Sequence, residues 1–94
     1  MMSLSLECEK YSCDSVNEFY FSYRLFRCKT ENGEVIFSLL VSLFENGKFL
    51  DERFVFDISR KENDAEKIFD IICKNYVTPY ALDECLDSIF DMSE

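Results

Sequence analysis

The most reactive side chains in this sequence belong to five cysteines, at positions 8, 13, 28, 73 and 85. The chain contains no histidine, so a cysteine nucleophile would lack the imidazole base that commonly activates it. The cysteine count is odd and no two cysteines have C-x-x-C spacing, which argues against a secreted disulfide framework and against a zinc site. We therefore predict free, buried or half-buried thiols, with no bound metal and no cofactor.

Two pairs of carboxylates have the residue types of a general acid and a general base. They are Asp51 with Asp57 and Asp83 with Asp87. Neither pair is accompanied by a second recognisable catalytic group or by an identifiable pocket. We therefore predict that the chain has no catalytic residue and is not an enzyme.

An acidic stripe follows one side of the predicted last helix, formed by Asp83, Glu84, Asp87 and Asp91, with no lysine or arginine nearby in the sequence. Residues 62–94 contain nine acidic and two basic residues, and so supply −7 of the chain's net charge of −9. Like charges four residues apart destabilise an isolated helix by roughly 0.2–0.5 kcal/mol per pair. The stripe therefore needs an explanation.

Two interpretations of the acidic stripe stay open. One is a solvated face that keeps the protein in solution. The other is a docking surface for a basic protein partner, and one form of it is an inhibitor that binds a nucleic-acid-handling protein in place of phosphate. Direct nucleic-acid binding is disfavoured because its affinity comes from lysine and arginine. The loop motif of a calcium site is absent.

The pattern of apolar residues predicts the strands that carry these side chains. Residues 17–30, 34–45 and 48–58 are predicted strands, and residues 3–10 alternate weakly and could add an edge strand. Asn-Gly, a strong hairpin signal, separates the three strong strands at 32–33 and 46–47. We predict an antiparallel meander of three or four strands.

Matching of apolar faces predicts the register, because a slip of one residue moves every side chain to the opposite face. A three-residue loop at 31–33, with Gly33 at positive φ in a G1 bulge, pairs Leu25 with Leu39, Tyr23 with Val41 and Phe21 with Leu43. A two-residue type I′ loop at 46–47 pairs Glu45 with Lys48, Leu43 with Leu50, Leu39 with Phe54 and Phe37 with Phe56. The second register puts Glu52 on the core face, a local weakness.

The same register predicts a half-apolar outer face of the sheet. Its predicted members are Tyr20, Ser22, Arg24, Phe26, Ile36, Ser38, Leu40, Ser42, Phe44, Phe49, Asp51, Arg53 and Val55. We expect this face to be either solvated or an interface for a partner or a second copy, a homodimer. The candidate partner-binding residues on it are Phe26, Ile36, Leu40, Phe44 and Phe49.

After Ser59 the apolar period changes from 2 to 3.6 residues, which predicts two helices. Ser59 to Glu62 has the form of a capping box, and Asn63 to Glu66 is a rival start. The first helix would bury Ala65, Ile68, Phe69, Ile72 and Tyr76 and end at 75–77. Thr78 is the predicted N-cap of the second helix, Pro79 lies in its first turn, and its stripe is Leu82, Cys85, Leu86, Ile89 and Phe90.

These elements predict an α+β fold, in which a three- to four-stranded antiparallel β-meander is followed by a C-terminal αα-hairpin packed on one sheet face. A chain of 94 residues predicts one domain over 1–94, with the meander at about 3–58 and the helical hairpin at about 60–91. No apolar run approaches the ~18 residues of a membrane span, and the first ten residues lack the features of a signal peptide. We therefore expect a cytoplasmic protein that does not bind a membrane.

Several of these segments resemble a known family. The YRL strand at 23–25, the Asn-Gly hairpin, Phe-Asp-Ile-Ser at 56–59 and Asn-Tyr-Val-Thr-Pro-Tyr-Ala-Leu-Asp at 75–83 are similar to the short bacterial proteins of the domain-of-unknown-function 6514 family. The resemblance extends over most of the chain from about residue 19. It implies a single-domain cytosolic bacterial protein, and it implies no activity, ligand or catalytic residue.

Together these features predict a small, acidic, cytosolic, non-enzymatic module for protein interaction or regulation. The alternative is a small-ligand-binding or enzymatic domain with a pocket between the helical hairpin and the sheet. A pocket lined by convergent polar groups would favour the alternative. A filled core with an apolar outer face would favour the interaction module.

Overall fold

The computed structural model describes residues 3–14 and 18–92, which form four strands followed by two helices. The strands are β1 (Ser3–Asp14), β2 (Phe19–Lys29), β3 (Val35–Glu45) and β4 (Lys48–Ser59), and the helices are α1 (Glu62–Lys74) and α2 (Leu82–Met92). The predicted α+β fold is confirmed, and the weak edge strand is a full strand. Asn17 of a predicted strand and the acidic Glu94 lie outside the described residues.

The sheet is a simple meander in the order β1-β2-β3-β4, and each strand pairs antiparallel with its neighbour in sequence. The predicted register of the first hairpin is confirmed, since Leu25 pairs with Leu39 and Phe21 with Leu43. Gly33 has a φ of 83°, and its N–H donates to the Thr30 carbonyl at 3.0 Å. Glycine fits there because it adopts positive φ without steric cost.

The predicted register of the second hairpin is correct at the turn and wrong beyond it. Asn46 and Gly47 have φ values of 51° and 80°, as a type I′ turn requires, and Glu45 pairs with Lys48. An irregularity between Leu43 and Phe44 then moves β4 by one residue, and a second one follows near Phe37. As a result, Leu43 pairs with Asp51, Leu39 with Val55 and Phe37 with Ser59, in place of Leu50, Phe54 and Phe56.

This shift changes which β4 side chains face the helices. Val55 packs against the core and Arg53 reaches α2, so the prediction that Asp51, Arg53 and Val55 lie on the outer face is wrong. Glu52 moves to the outer face, where the Ser42 hydroxyl donates to its carboxylate at 3.0 Å. The predicted burial of a carboxylate in the core therefore does not occur.

The hydrophobic core fills the space between the helices and one face of the sheet. Its most deeply buried large side chains are Tyr23, Leu25, Leu39, Val41, Phe69, Ile72 and Leu82. Fully burying such a side chain stabilises the fold by roughly 1.5–3 kcal/mol. The Tyr23 hydroxyl donates to the Val77 carbonyl at 3.1 Å and so joins β2 to the connection between the helices.

Helix α1 begins without the predicted cap. Its N-cap is Lys61, whose side chain forms no capping hydrogen bond, so both predicted starts are wrong. Ser59 instead accepts a hydrogen bond from the Lys61 N–H at 3.1 Å, in a turn that precedes the helix. Four of the five predicted core residues, Ala65, Ile68, Phe69 and Ile72, are buried.

Helix α1 ends as predicted at 75–77, in a Schellman motif. Tyr76 adopts a φ of 50°, its N–H donates to Cys73, and the Val77 N–H donates to Ile72 at 3.3 Å. Tyr76 is 54% exposed, because it occupies the left-handed position after the helix and not its buried face. The prediction that Tyr76 belongs to the core is therefore wrong.

Helix α2 begins later than predicted, so Thr78 is not its N-cap and Pro79 lies before the helix and not in its first turn. Thr78 Oγ1 accepts a hydrogen bond from the Ala81 N–H at 3.2 Å, and residues 79–81 form a tight turn before the helix begins at Leu82. Leu82 and Leu86 are buried and Cys85 and Ile89 pack partly against the core, whereas Phe90 stays exposed. Among residues 3–14 and 18–92, no helix is long and apolar enough to cross a membrane.

Candidate functional site

The helices leave the other face of the sheet without a covering layer. This outer sheet face is formed by Leu4, Leu6, Glu9, Tyr11 and Cys13 of β1, Tyr20, Ser22, Arg24, Phe26 and Cys28 of β2, Ile36, Ser38, Leu40, Ser42 and Phe44 of β3, and Phe49, Glu52, Phe54 and Phe56 of β4. Seven of its large side chains are between 38% and 58% exposed: Leu4, Leu6, Tyr11, Tyr20, Phe49, Phe54 and Phe56. The sequence predicted the face but not the contribution of β1.

The predicted partner-binding residues on this face differ in accessibility. Phe49 is the most exposed of the large apolar residues on the face, and Phe26, Leu40 and Phe44 are half-buried among their neighbours. Ile36 is buried and offers a partner almost no surface. Four of the five residues are therefore available for contact.

An aromatic row crosses one end of the outer sheet face, with one ring from each strand. The row consists of Tyr11, Tyr20, Phe44 and Phe49. Successive ring centroids lie 5.5 Å, 5.9 Å and 5.9 Å apart. Aromatic pairs at such distances contribute roughly 0.5–1.5 kcal/mol beyond the burial of their area. The row is therefore a continuous and preformed apolar ridge.

A second apolar ridge lies at the other end of the same face. It is formed by Leu4, Leu6, Phe26, Phe54 and Phe56. The rings of Phe26 and Phe54 are 6.4 Å apart across β3, which is possible because the shifted register turns Phe54 outward. Four of these residues, all except Phe26, are exposed and lie on the two edge strands, so the ridge widens the face beyond its two central strands.

A polar band separates the two ridges. Arg24 Nε donates to the Glu9 carboxylate at 2.6 Å, and the Tyr11 hydroxyl donates to the same carboxylate. These two hydrogen bonds, first that of Tyr11 and then that of Arg24, lower the pKa of Glu9 below its usual value. Ser22 lies beside this pair, and its buried hydroxyl has no hydrogen-bond partner among the described residues.

The structure gives one member of the acidic stripe a basic partner. Arg53 donates to the Asp83 carboxylate from Nε at 3.1 Å and from a terminal nitrogen at 3.3 Å. The expectation that the stripe has no partner is therefore wrong for Asp83. Glu84, Asp87 and Asp91 are exposed, and none of them forms an ion pair with a lysine or arginine in the described part of the chain.

A pocket of about 260 Å³ lies between α1 and the sheet. Its floor is apolar, with Leu25, Phe37 and Phe69, and its rim carries Cys8 and four carboxylates, those of Glu7, Glu62, Glu66 and Asp70. Two of these carboxylates already have partners, because Asp70 lies 2.6 Å from Lys10 Nζ and Glu7 lies 3.7 Å from Arg27. The hydrogen bond from Lys10 to Asp70 also raises the pKa of Lys10.

The sequence alternative placed a pocket between the helical hairpin and the sheet, but it did not identify the lining residues, because an irregularity in β1 brings Glu7 there. Leu6 pairs with Phe26 and Cys8 with Leu25, so Glu7 is left outside the register. The side chain of Glu7 then lies with the acids of α1. The only signal in the sequence is the short spacing of Glu62, Glu66 and Asp70 along one side of α1.

The candidate catalytic groups are not assembled into a site. Asp51 and Asp57 are six residues apart on one strand, which separates them by about 20 Å. Asp83 is held by Arg53. In the ranges 3–14 and 18–92, no group of three or more histidine, cysteine or acidic residues is placed to hold a metal ion.

All five cysteines are free thiols. Cys28 and Cys73 are buried and Cys8 and Cys85 half-buried, as predicted, but Cys13 is exposed. Burial raises the pKa of Cys73 to about 11 and also raises the pKa of Cys85.

Comparisons with known protein families, with curated proteins and with solved structures found no match to this chain.

Proposed function

We propose that this chain is a non-enzymatic protein-interaction module that docks a partner on its outer sheet face. The observation that carries the proposal is the exposure of seven large apolar side chains on one continuous face. Monomeric proteins rarely leave apolar patches of more than a few hundred Å² exposed, and larger ones mark interaction sites. We also propose that the protein works in the cytosol of a bacterium, as the family resemblance implies.

The composition of the face supports this proposal. Its apolar ridges contain seven aromatic residues together with Leu4 and Leu6, and aromatic residues are enriched at the centres of interfaces. The ion pair of Glu9 and Arg24 is already hydrogen-bonded within the chain, so covering it leaves no charge unpaired. Among the described residues, the remaining charge of the face is that of Glu52, which lies on the edge strand β4.

Photo-crosslinking in living cells tests the proposal. A photoreactive phenylalanine analogue replaces Phe49 on the outer sheet face, and a matched control replaces Tyr80, which is 91% exposed on the helical side. We expect a discrete protein adduct from position 49 and none from position 80. No adduct from position 49, or equal adducts from both positions, would contradict docking on the outer sheet face.

The acidic stripe supports a second interaction surface on the helical side, in the form of an inhibitor that docks on a basic nucleic-acid-handling protein. Glu84, Asp87 and Asp91 would steer such a partner electrostatically. The test compares the proteins that co-purify at low salt with the wild type and with Glu84→Gln/Asp87→Asn/Asp91→Asn. Asp83 is left intact because its substitution would also break the ion pair with Arg53.

A matched control for that test is Glu18→Gln/Asp51→Asn/Asp64→Asn, which changes the charge equally at sites off the stripe. We expect a basic partner to be lost from the stripe variant and retained by the control. If both variants retain the same proteins, the stripe is a solvated face.

The pocket beside α1 supports the alternative function, binding of a small ligand. Its carboxylate rim and apolar floor suit a cation with an apolar body, such as a polyamine. Its volume is below the roughly 300–1,000 Å³ of most ligand sites, which makes this the second candidate. Calorimetric titration with spermidine tests it, and Glu62→Gln/Glu66→Gln should abolish any heat that the pocket causes.

A further inference from the structure

We infer that the occupant of the outer sheet face is a second copy of this chain, bound face to face to form a homodimer. The inference rests on the proposed function and names its partner. In the dimer, the outer sheet face of one copy would pack on the outer sheet face of the other. The helices of each copy would then lie on the two surfaces of the dimer that face the solvent. Such aligned sheets pack about 10 Å apart and interdigitate their side chains.

The area of the face matches what a stable dimer needs. Four strands about 4.8 Å apart and about 11 residues long cover roughly 19 by 36 Å, or about 700 Å². A standard interface buries ~800 Å² per partner. Full overlap of two outer sheet faces therefore gives an interface of nearly standard size, with aromatic rings from all four strands inside it.

The distribution of charge removes the main objection to self-association. Two copies of a chain with a net charge of −9 repel each other. The charged side chains of the outer sheet face are only Glu9, Arg24 and Glu52, with a sum of −1, of the residues that the structure describes. Most of the remaining excess lies on the helices, which a face-to-face dimer places on its two outer surfaces.

The pattern of the face also fits itself. Both ends of the face are apolar, so a two-fold axis in the plane of the interface sets an apolar end of one copy against an apolar end of the other. This holds whether the axis runs along the strands or across them. A basic or an acidic partner, by contrast, would find almost no free charge to pair with.

Sedimentation equilibrium of the full chain under reducing conditions tests the inference. We expect a mass of twice 11.1 kDa at high micromolar concentration. The disrupting variant is Leu6→Glu/Phe49→Glu, with both changes at half-exposed positions on edge strands, where we expect the monomer to stay folded. The matched control is Tyr80→Glu/Phe90→Glu, which adds the same charge to the helical side.

We expect the dimer dissociation constant to rise at least about 100-fold in Leu6→Glu/Phe49→Glu, because each copy would place two carboxylates in an apolar interface. The control should keep the wild-type constant. Circular dichroism establishes that both variants are folded. A wild-type dimer that the disrupting variant leaves intact would overturn the inference, because the copies would then meet through another surface.

A second measurement needs no destabilising substitution. A photoreactive analogue at Phe49 of the wild-type chain is irradiated at high concentration, and the crosslinked residues are mapped by mass spectrometry. Crosslinks to the outer sheet face of a second copy support the dimer, and crosslinks to α1 or α2 overturn it. A chain that stays at 11.1 kDa also overturns it. In that case the proposed function still holds if position 49 crosslinks in cells to a different protein, which gives an adduct with a mass other than that of a dimer. It fails if position 49 gives no adduct in cells.

Discussion

Cys73 illustrates how a buried thiol stays inert in this chain. It lies on the buried side of α1 with Lys10 and Asp70 among its charged neighbours. Burial raises its pKa to about 11, and the nearby ammonium of Lys10 offsets only part of that rise. The thiolate is the nucleophilic form of cysteine, so this side chain is unsuited to catalysis at neutral pH.

Alkylation of Cys73 at pH 8 should be at least about 100-fold slower in the folded chain than in the same chain unfolded in urea. A rise of the pKa from about 9 to about 11 lowers the thiolate fraction about 100-fold, and burial also limits access. Peptide mapping after timed exposure to iodoacetamide measures both rates. Cys13, which is exposed, is the internal control and should react readily in the folded chain.

The same pKa shift has a defined effect on stability. Because the folded pKa of Cys73 lies above its ordinary value, its contribution to stability is fully present below pH 9 and is lost as the pH rises toward 11. The free energy of unfolding should therefore fall across this range, and Cys73→Ala should reduce the fall. A Cys73 that reacts as fast as Cys13 at pH 8 would contradict both expectations.

The contact between Arg53 and Asp83 marks the limit of reasoning from single residues. The sequence identifies Asp83 as acidic and exposed, and the structure agrees. Its partner lies 30 residues earlier, on a strand whose side-chain direction depends on the register. No local pattern contains that information, so the ion pair could not be predicted.

At the scale of elements, local signals were sufficient where the elements are regular. The periodicity of α1 identified Ala65, Ile68, Phe69 and Ile72 as buried, and the Asn32-Gly33 turn gave the register of β2 and β3. The failures within the sheet lie at irregularities in β1 and β4, which need no glycine or proline and so leave no mark in the sequence. Only the awkward burial of Glu52 in the predicted register signalled the error.

The Thr78 hydroxyl and the Thr78 carbonyl both accept a hydrogen bond from Ala81 N–H in the turn before α2, which gives a prediction for this element. Thr78→Ala should lower the free energy of unfolding by about 1 kcal/mol, because the Ala81 N–H would lose its hydrogen bond to Thr78 Oγ1. Urea denaturation measures the change. Ser88→Ala is the matched control, because Ser88 is exposed within α2 and, among the residues that the structure describes, its hydroxyl bonds only to the Glu84 carbonyl. Equal losses in both variants would show that the Thr78 hydroxyl does not stabilise this turn.

At the scale of the molecule, the two layers divide charge and apolar surface between them. The helical half carries most of the net negative charge, and the outer sheet face carries most of the exposed aromatic side chains. The composition of residues 62–94 predicted the charge of the helical half, and the predicted strand register indicated the apolar outer face. The sequence could not predict that β1 would widen the apolar face, because the alternation of apolar residues in β1 is weak. Leu4, Leu6 and Tyr11 lie on the same side of the strand because of the irregularity at Glu7.

Salt should stabilise this molecule. Raising the ionic strength from about 0.05 to 0.5 M shortens the Debye length from about 14 to about 4 Å, which screens repulsion among the excess acids. We therefore expect the Tm of the wild type to rise. For a domain of this size, a gain of ~1 kcal/mol in the free energy of unfolding raises the Tm by ~4–8 °C. The rise should be smaller in Glu84→Gln/Asp87→Asn/Asp91→Asn. An equal rise in both would mean that salt acts on apolar burial and not on the stripe.

The meander order of the strands also has a consequence for synthesis on the ribosome. Each strand pairs with the one made just before it, and hairpins form in ~1–10 μs, so the sheet can assemble as it emerges. The residues from Glu62 onward need a further ~2–7 s at ~5–20 residues per second. For those seconds the sheet would present two apolar faces, of which α1 and α2 later cover one. The nascent chain is therefore most in need of chaperones just before its helices appear.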